Sequence, residues 1–394
     1  MKTLKLLFVV SMLLSGASAV AAPSSNGLYA TIQTTMGNVC FELYYTNVPR
    51  TVANFVSLAE GSRPWIDPRS SFISTNPYYN GIIFHRVING FMIQAGSPKG
   101  DGTDGPGYTF EDEFDPALRH DQPGTVSMAN SGFDSNGGQF FITVAAYTNG
   151  NDKHSVFGRV VEGMNVVSNI AAAATDAGDR PLVDVVITNV FITRNGTNAL
   201  NFAVTNQFLP EVQALPMSIT NTNGIKISTG TATSSYQYVY NSTNLHDWSE
   251  AASKYWPEAS GEWSFAISGE PKEFFHANRV VYTPDTNMTA DIANHHLVVT
   301  VGSSVVQITT GTNNTGVVKY GSYPEDHIVA WEWIKEEPYQ TALFVETDYP
   351  DAYYIFLHYS TPSAGRCKGY YSSGSGWYYL EGDGNGTFTD QNLN

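Results

Sequence analysis

Beyond the first two dozen residues, apolar side chains recur in short runs broken by Gly, Asn, Ser and Pro. Only two segments carry the three-to-four-residue spacing of an amphipathic helix. A chain patterned this way has to bury its apolar side chains by pairing strands. Leu28 to Thr34 and Asn38 to Tyr44 read as a hairpin turning at Gly37, followed by strands over Gly81 to Val87, Phe91 to Gly96, Gly124 to Ala129, Gln139 to Val144, Ser155 to Val161 and Val183 to Thr193. Pro49 to Glu60 reads as a helix: Pro49 opens it, Val52, Phe55, Val56 and Leu58 form its apolar face, and Gly61 ends it. Met164 to Ala174 reads as a second helix, residues 62 to 79 as a loop, and Lys99 to Tyr108 as a Gly-rich loop. The expected fold is mainly β: a closed antiparallel eight-stranded barrel capped by the two helices.

The character changes after Arg194, where Asn and Thr rise and helical spacing disappears. Residues 195–212 are expected to be a linker or docking segment. Residues 213–284 read as a small β-rich module and 285–394 as a β-rich C-terminal domain of sandwich or barrel type. Their strand-like runs are Ser234 to Tyr240, Glu262 to Ile267, Leu297 to Ile308, Ile328 to Trp333, Leu343 to Glu346 and Ala352 to Tyr359. Aromatic residues from Trp331 to Tyr379 suit either the core of such a domain or a platform for sugars or peptides. The C-terminal modules are expected to tether the chain to a surface, polymer or client.

At the other end, Lys2 and Lys5 precede the apolar run Leu6 to Leu14 and the small residues Ser15 to Ala22. That run is too short to span a bilayer and has the form of a secretory signal over residues 1–22, cleaved after Ala19 or Ala22. The expectation is export to a periplasmic or extracellular location, as a monomer without a transmembrane span. The net charge is −16 and no Lys/Arg cluster offsets it, which argues against nucleic-acid binding. Of the two cysteines, Cys40 sits in a strand-like run and reads as a buried free thiol; Cys367 lies in another module. His295-His296 are adjacent on a strand and point to opposite faces, so no metal is assigned. The Gly-rich loop carries Asp101 and Asp104 and no Lys in phosphate-loop spacing. No cofactor is called for.

Four stretches in order carry the chemistry: Phe84 to Gly96 (FHRVINGFMIQAG), Ser127 to Gly132 (SMANSG), Asn136 to Ile142 (NGGQFFI) and Asp152 to Gly158 (DKHSVFG). Together they resemble the cyclophilin family of peptidyl-prolyl cis-trans isomerases. The resemblance spans about Leu28 to Ile192. The insert Arg63 to Tyr79 and the run Gly105 to Phe114 look like its bacterial branch. The implied reaction is rotation about X-Pro bonds in proline-containing polypeptides, assisting the folding of exported proteins.

Such rotation faces a barrier of about 18–20 kcal/mol from amide resonance and needs neither nucleophile nor metal. It needs a site that favours the twisted amide, whose proline nitrogen becomes a better acceptor. A rigid, always-charged donor suits that task, and Arg86 matches the family arginine. The resemblance adds Phe91 and makes Met92, Phe91 and Phe141 the apolar floor for the proline ring. Gln94 shares a strand face with Met92 and is expected to bond the substrate carbonyl and help hold Arg86. Ala129 and Asn130 are expected to grip the residues before proline by main-chain hydrogen bonds, with Ser131, Gln139 and Gly102 beside them. His154 is expected to line the proline pocket; His85 and His120 read as structural.

The pattern departs at Asn149-Gly150, where the family commonly has Trp-Leu. This predicts a lost aromatic wall, a weaker grip on substrate and poor cyclosporin binding. Ser97 replaces a usual Asp. The departures keep an alternative open: a cyclophilin-shaped peptide-binding or adhesion protein with little catalytic activity.

Overall fold

The computed structural model describes residues 25–221 apart from residue 133, and beyond them the strands named below with some adjoining residues. The expected signal, residues 1–22, lies outside the described residues. So do the side chains of Cys367, of His295 and His296, and of the aromatic residues between Trp331 and Tyr379.

The first hairpin is β1 (Gly27–Thr34) and β2 (Gly37–Leu43). Helix α1 (Pro49–Glu60) follows with the predicted limits and ends at Gly61, whose φ of 68° is left-handed. The stretch expected as a loop instead holds a short hairpin, β3 (Trp65–Ile66) and β4 (Ile73–Ser74). It is ordered because Trp65 packs edge-on against Tyr78 at 4.8 Å and donates its indole N–H to the Asn76 carbonyl at 3.0 Å. Then come β5 (Phe84–Ile88), β6 (Met92–Ala95), β7 (Thr125–Met128), β8 (Phe140–Thr143) and β9 (Val156–Glu162). Helix α2 (Met164–Ala171) stops short of Ala174, and β10 (Ile187–Asn195) starts later than the predicted Val183.

These strands form one eight-stranded sheet, order β10-β1-β2-β9-β7-β8-β6-β5. Its two edges meet through a bridge between Ile83 and Val186 and hydrogen bonds Phe84 N–H to Val185 O (3.0 Å) and Ile187 N–H to Ile82 O (2.8 Å). Val185 and Val186 are therefore spent on joining the edges rather than on extending β10.

Phe55 of α1 centres the core, meeting Phe41, Tyr79, Phe140 and Phe157 at ring distances of 4.9–5.7 Å. The open N-terminus of α1 is covered from a distance: the Glu113 carboxylate accepts from the amides of Arg50 (3.1 Å) and Thr51 (2.6 Å) and from the Thr51 hydroxyl (2.8 Å). Cys40 is buried and free.

The segment expected as a linker or docking segment packs against the core around α1. It holds α3 (Thr197–Leu200), and Ala199, Leu209 and Val212 are buried in the same apolar cluster as α1. The strands β11 (Glu211–Ala214), β12 (Ser218–Asn221), β13 (Ile225–Ser228), β14 (Ser235–Ser242), β15 (Ser249–Trp256), β16 (Glu262–Phe265) and β17 (Phe274–Val281) follow. They form a sheet β11-β17-β14-β15 and a sheet β12-β13-β16. The first docks on the β3–β4 hairpin: Asn278 donates to the Ser71 carbonyl (2.8 Å), Arg63 donates to the Pro210 carbonyl (2.7 Å), and His276 stacks on Phe72 at 4.3 Å. Nine further strands, β18 (His295–Val301) to β26 (Asn385–Asn392), form one sheet in which β23 (Asp351–Thr361) also pairs with β24 (Ala364–Ser373), so the ladder returns on itself.

Replacing Phe55 by Ala removes the ring at the centre of this packing. The expected cost is about 3–5 kcal/mol, read as a lowered denaturant midpoint in urea.

Candidate active site

The site is built across three neighbouring strands. Arg86 on β5 pairs with Gln94 on β6, and Gln94 pairs with Phe141 on β8, so the three stand in one row on one face. A bulge between Phe84 and Arg86 shifts the alternation of β5. Phe84 and Val87 can then both be buried while Arg86 stands out beside Gln94. Met92, two residues before Gln94 on the same face, is 2% exposed, and Phe141 is 5% exposed.

Two adjoining cavities of about 560 Å³ each open over this row. One is lined by Arg86, Phe91, Met92, Phe141 and His154, together with His85, Asp101, Tyr147 and Gly178. The other is lined by Gln139, Ser131, Thr103, the glycines 105, 107, 137 and 138, and Tyr238. Gln94, Gly102, Ala129 and Asn130 line both and form the wall between them. All eleven residues singled out from the sequence thus line one cavity or the other.

Two polar contacts add to the expected arrangement. The Gln94 amide donates to the Gln139 side-chain carbonyl oxygen at 3.0 Å, and the Asp179 carboxylate forms an ion pair with Arg86, 3.5 Å from Nε. The guanidinium thus has Gln94 beside it in the strand pairing and Asp179 facing its Nε. Gln139 in turn donates to the carbonyls of Gly102 (2.9 Å) and Asp104 (2.8 Å), so it holds the Gly-rich loop and orients Gln94. Ser97 reinforces that loop by donating to Asp104 (2.5 Å) and accepting from the Gly102 amide (3.1 Å). The Ala129 N–H is already donated to the Gln139 backbone carbonyl at 3.0 Å. Asn130 is anchored by its side-chain amide on the Lys153 carbonyl at 2.7 Å.

Beside Asn149-Gly150, where a lost aromatic wall is expected, the ring of Tyr147 lines the cavity. Its ring meets Phe91 edge-on at 4.8 Å and lies 6.4 Å from both Phe141 and His154. The turn Thr148–Gly150 folds back on it, and a Cβ on Gly150 would sit 2.7 Å from the ring, so a larger residue there would push the ring aside. His154 lies edge-on to Phe141 at 5.4 Å, and its Nδ1 donates to the Met128 carbonyl at 3.1 Å. His120 bridges Ser127 (2.9 Å) and Asn151 (3.1 Å) behind Phe141. Tyr147 and Asp179 escaped the sequence reading. Tyr147 had only its place beside a polar turn as a signal. Asp179 had only its position in an Asp-Gly-rich turn, where its φ is 63°.

Burial lowers the pKa of His120 and His154, and lowers that of His85 to about 4, with Arg86 and Arg180 adding to the effect and Asp101 opposing it. A histidine with a depressed folded pKa stabilises the fold fully above its unfolded pKa of about 6.5 and loses that contribution as pH falls toward the folded value. Thermal stability should therefore drop between pH 6.5 and about 4. In melts at pH 7.5 and 4.5, a His85→Gln variant is expected to show a gap in Tm narrower by about 2–4 °C than the parent.

Comparison with known proteins identifies the family of the N-terminal part of the chain. Residues 29–192 match the family model for cyclophilin type peptidyl-prolyl cis-trans isomerases. The chain is 49% identical over 168 residues to peptidyl-prolyl cis-trans isomerase B of Streptomyces anulatus, covering 42% of this chain and 96% of that protein. It is 46% identical over 166 residues to peptidyl-prolyl cis-trans isomerase A of Mycobacterium tuberculosis, covering 42% and 91%. A crystal structure of a cyclophilin type peptidyl-prolyl cis-trans isomerase from Cryptosporidium parvum aligns with 30% identity and a TM-score of 0.38, over 43% of this chain and 98% of that one. The chain belongs to the cyclophilin-type peptidyl-prolyl cis-trans isomerases, and it is an isomerase enzyme.

Proposed function

We propose that this isomerase acts on proline-containing segments of exported polypeptides and assists their folding, with Arg86 as the group that favours the twisted amide. The observation that carries the reading is the row Arg86–Gln94–Phe141, which sets a guanidinium beside an apolar hollow. The Arg86 side chain is 44% exposed, and Asp179 faces its Nε. The far nitrogens of the guanidinium then serve as donors to the proline nitrogen. A planar amide offers that nitrogen little electron density; an orthogonal one does, so the hydrogen bond strengthens as the bond twists. The proline ring rests on Met92, Phe91 and Phe141, walled by Tyr147 and His154. His154, neutral and fixed by Met128, shapes the hollow and moves no proton. Gln94 orients the carbonyl before proline, and Asn130 offers its backbone to the preceding residues. Export is supported by the Lys2, Lys5 and Leu6 to Ala22 pattern. Among the described residues no helix is long and apolar enough to cross a membrane.

Measured by NMR exchange or a protease-coupled assay on an X-Pro peptide, Arg86→Ala should lower kcat/KM by about 10²–10³-fold, with Arg86→Lys in between. Asp179→Asn should lower it by about 3–10-fold, because the guanidinium loses its fixed orientation. Activity of Arg86→Ala near that of the parent would remove the proposed role. Cyclosporin is expected to bind no tighter than about micromolar, since Asn149 brings no indole to the rim; a titration giving a nanomolar Kd would refute this.

A further inference from the structure

The second cavity is not closed by the isomerase domain alone. Its lining combines backbone-rich glycines with one broad ring from outside that domain, Tyr238 of β14. Tyr108, the other aromatic ring of the lining, is 4% exposed and its hydroxyl is committed to Asn54 at 2.8 Å. Tyr238 is half-buried and held from two sides. In the β14–β17 ladder it pairs with Asn278, the buried residue whose amide is bonded to Ser71 of the β3–β4 hairpin. Its ring also begins a ladder of rings: it stacks with Tyr240 at 6.3 Å, Tyr240 stacks with His276 at 4.8 Å, and His276 stacks with Phe72 at 4.3 Å. The docking contact and the cavity wall are thus one structure.

We propose that the appended module extends the substrate groove, and that Tyr238 reads a large apolar or aromatic client residue on the N-terminal side of the proline. The direction follows from continuity. The two cavities share Gln94, Gly102, Ala129 and Asn130, so a chain seated with its proline in the first and its preceding residues along Ala129–Asn130 runs into the second. This rests on the proposed seating of proline beside Arg86. An apolar ring from the client replaces water over the glycine floor and meets the Tyr238 ring, a contact worth more than its area alone. Tyr238 is the one broad ring of that lining not buried within the isomerase domain, beside the smaller apolar groups of Pro106 and Ala129, so discrimination between large and small residues at that position falls to it.

The test uses the full chain, because Ala199, Leu209 and Val212 belong to the isomerase core and a truncation at residue 194 would strip them away. Two peptides differ only in carrying Phe or Gly two residues before proline. The parent should favour Phe in kcat/KM by about 3–10-fold, mostly through KM. Tyr238→Ala should abolish that preference, Tyr238→Phe should retain it, and Tyr238→Lys should shift preference toward a peptide with Glu at the same position. The last is a gain that unfolding cannot produce. An unchanged Phe-to-Gly ratio in Tyr238→Ala, or a Phe variant as indifferent as the Ala variant, would overturn the proposal. The readout is a ratio between peptides, so it is separate from the Arg86→Ala result, which tests absolute rate.

Discussion

The side-chain amide of Gln139 ties the site together. It accepts from Gln94 and donates to the carbonyls of Gly102 and Asp104, so one group links β6, β8 and the Gly-rich loop. Its neighbours form the wall shared by the two cavities. In a half-buried setting an unmade hydrogen bond is costly, so the geometry in which all three are made is strongly favoured. Gln94 is thereby held at the centre of its row, and the loop keeps a fixed position beside it. Ser97, standing where the family commonly has Asp, adds a hydroxyl bridge within the same loop.

Around this network the enzyme solves two packing problems from a distance. Helix α1 has no side chain of its own to cover its N-terminal amides, and Glu113 supplies the carboxylate. Burial pushes that carboxyl's pKa up, while the Thr51 and Arg50 amides and the Thr51 hydroxyl pull it down. The second problem is the exposed Phe72 at the tip of the β3–β4 hairpin, 45% accessible yet stacked on His276 and edge-on to Trp248. The appended module gives that ring partners. The same contact fixes the module that carries Tyr238, so a feature that looks like simple docking also shapes the substrate groove.

Much of the barrel was legible because strand alternation and turn residues are local. The hairpin at Gly37, the limits of α1 and the shared face of Met92 and Gln94 on β6 follow from patterns a few residues long. Misreadings arose where a distant partner decided the outcome. Residues 183–186 have strand character, but the Val185 carbonyl accepts from Phe84 to join the sheet edges, and Val186 exchanges bonds with Thr35 beyond the end of β1. Residues 62–79 have loop composition, but Trp65, Tyr78 and Tyr79 anchor them in the core. For residues 195–212 the composition left linker and docking segment both open, and only the fold shows their apolar side chains in the cluster around α1.

By itself, the order of residues determined the β class, the limits of α1 and the family resemblance that singles out the guanidinium, amide and apolar groups lining the cavities. These depend on periodicity and residue chemistry, which are written locally. Only the tertiary structure decided that Asp179 faces Arg86, that the Tyr147 ring lines the hollow beside Phe91, and that Tyr238 reaches a cavity made by another domain. Each of those contacts joins groups far apart along the chain. Their meeting depends on how sheets close and modules dock, and no local pattern of side chains encodes that.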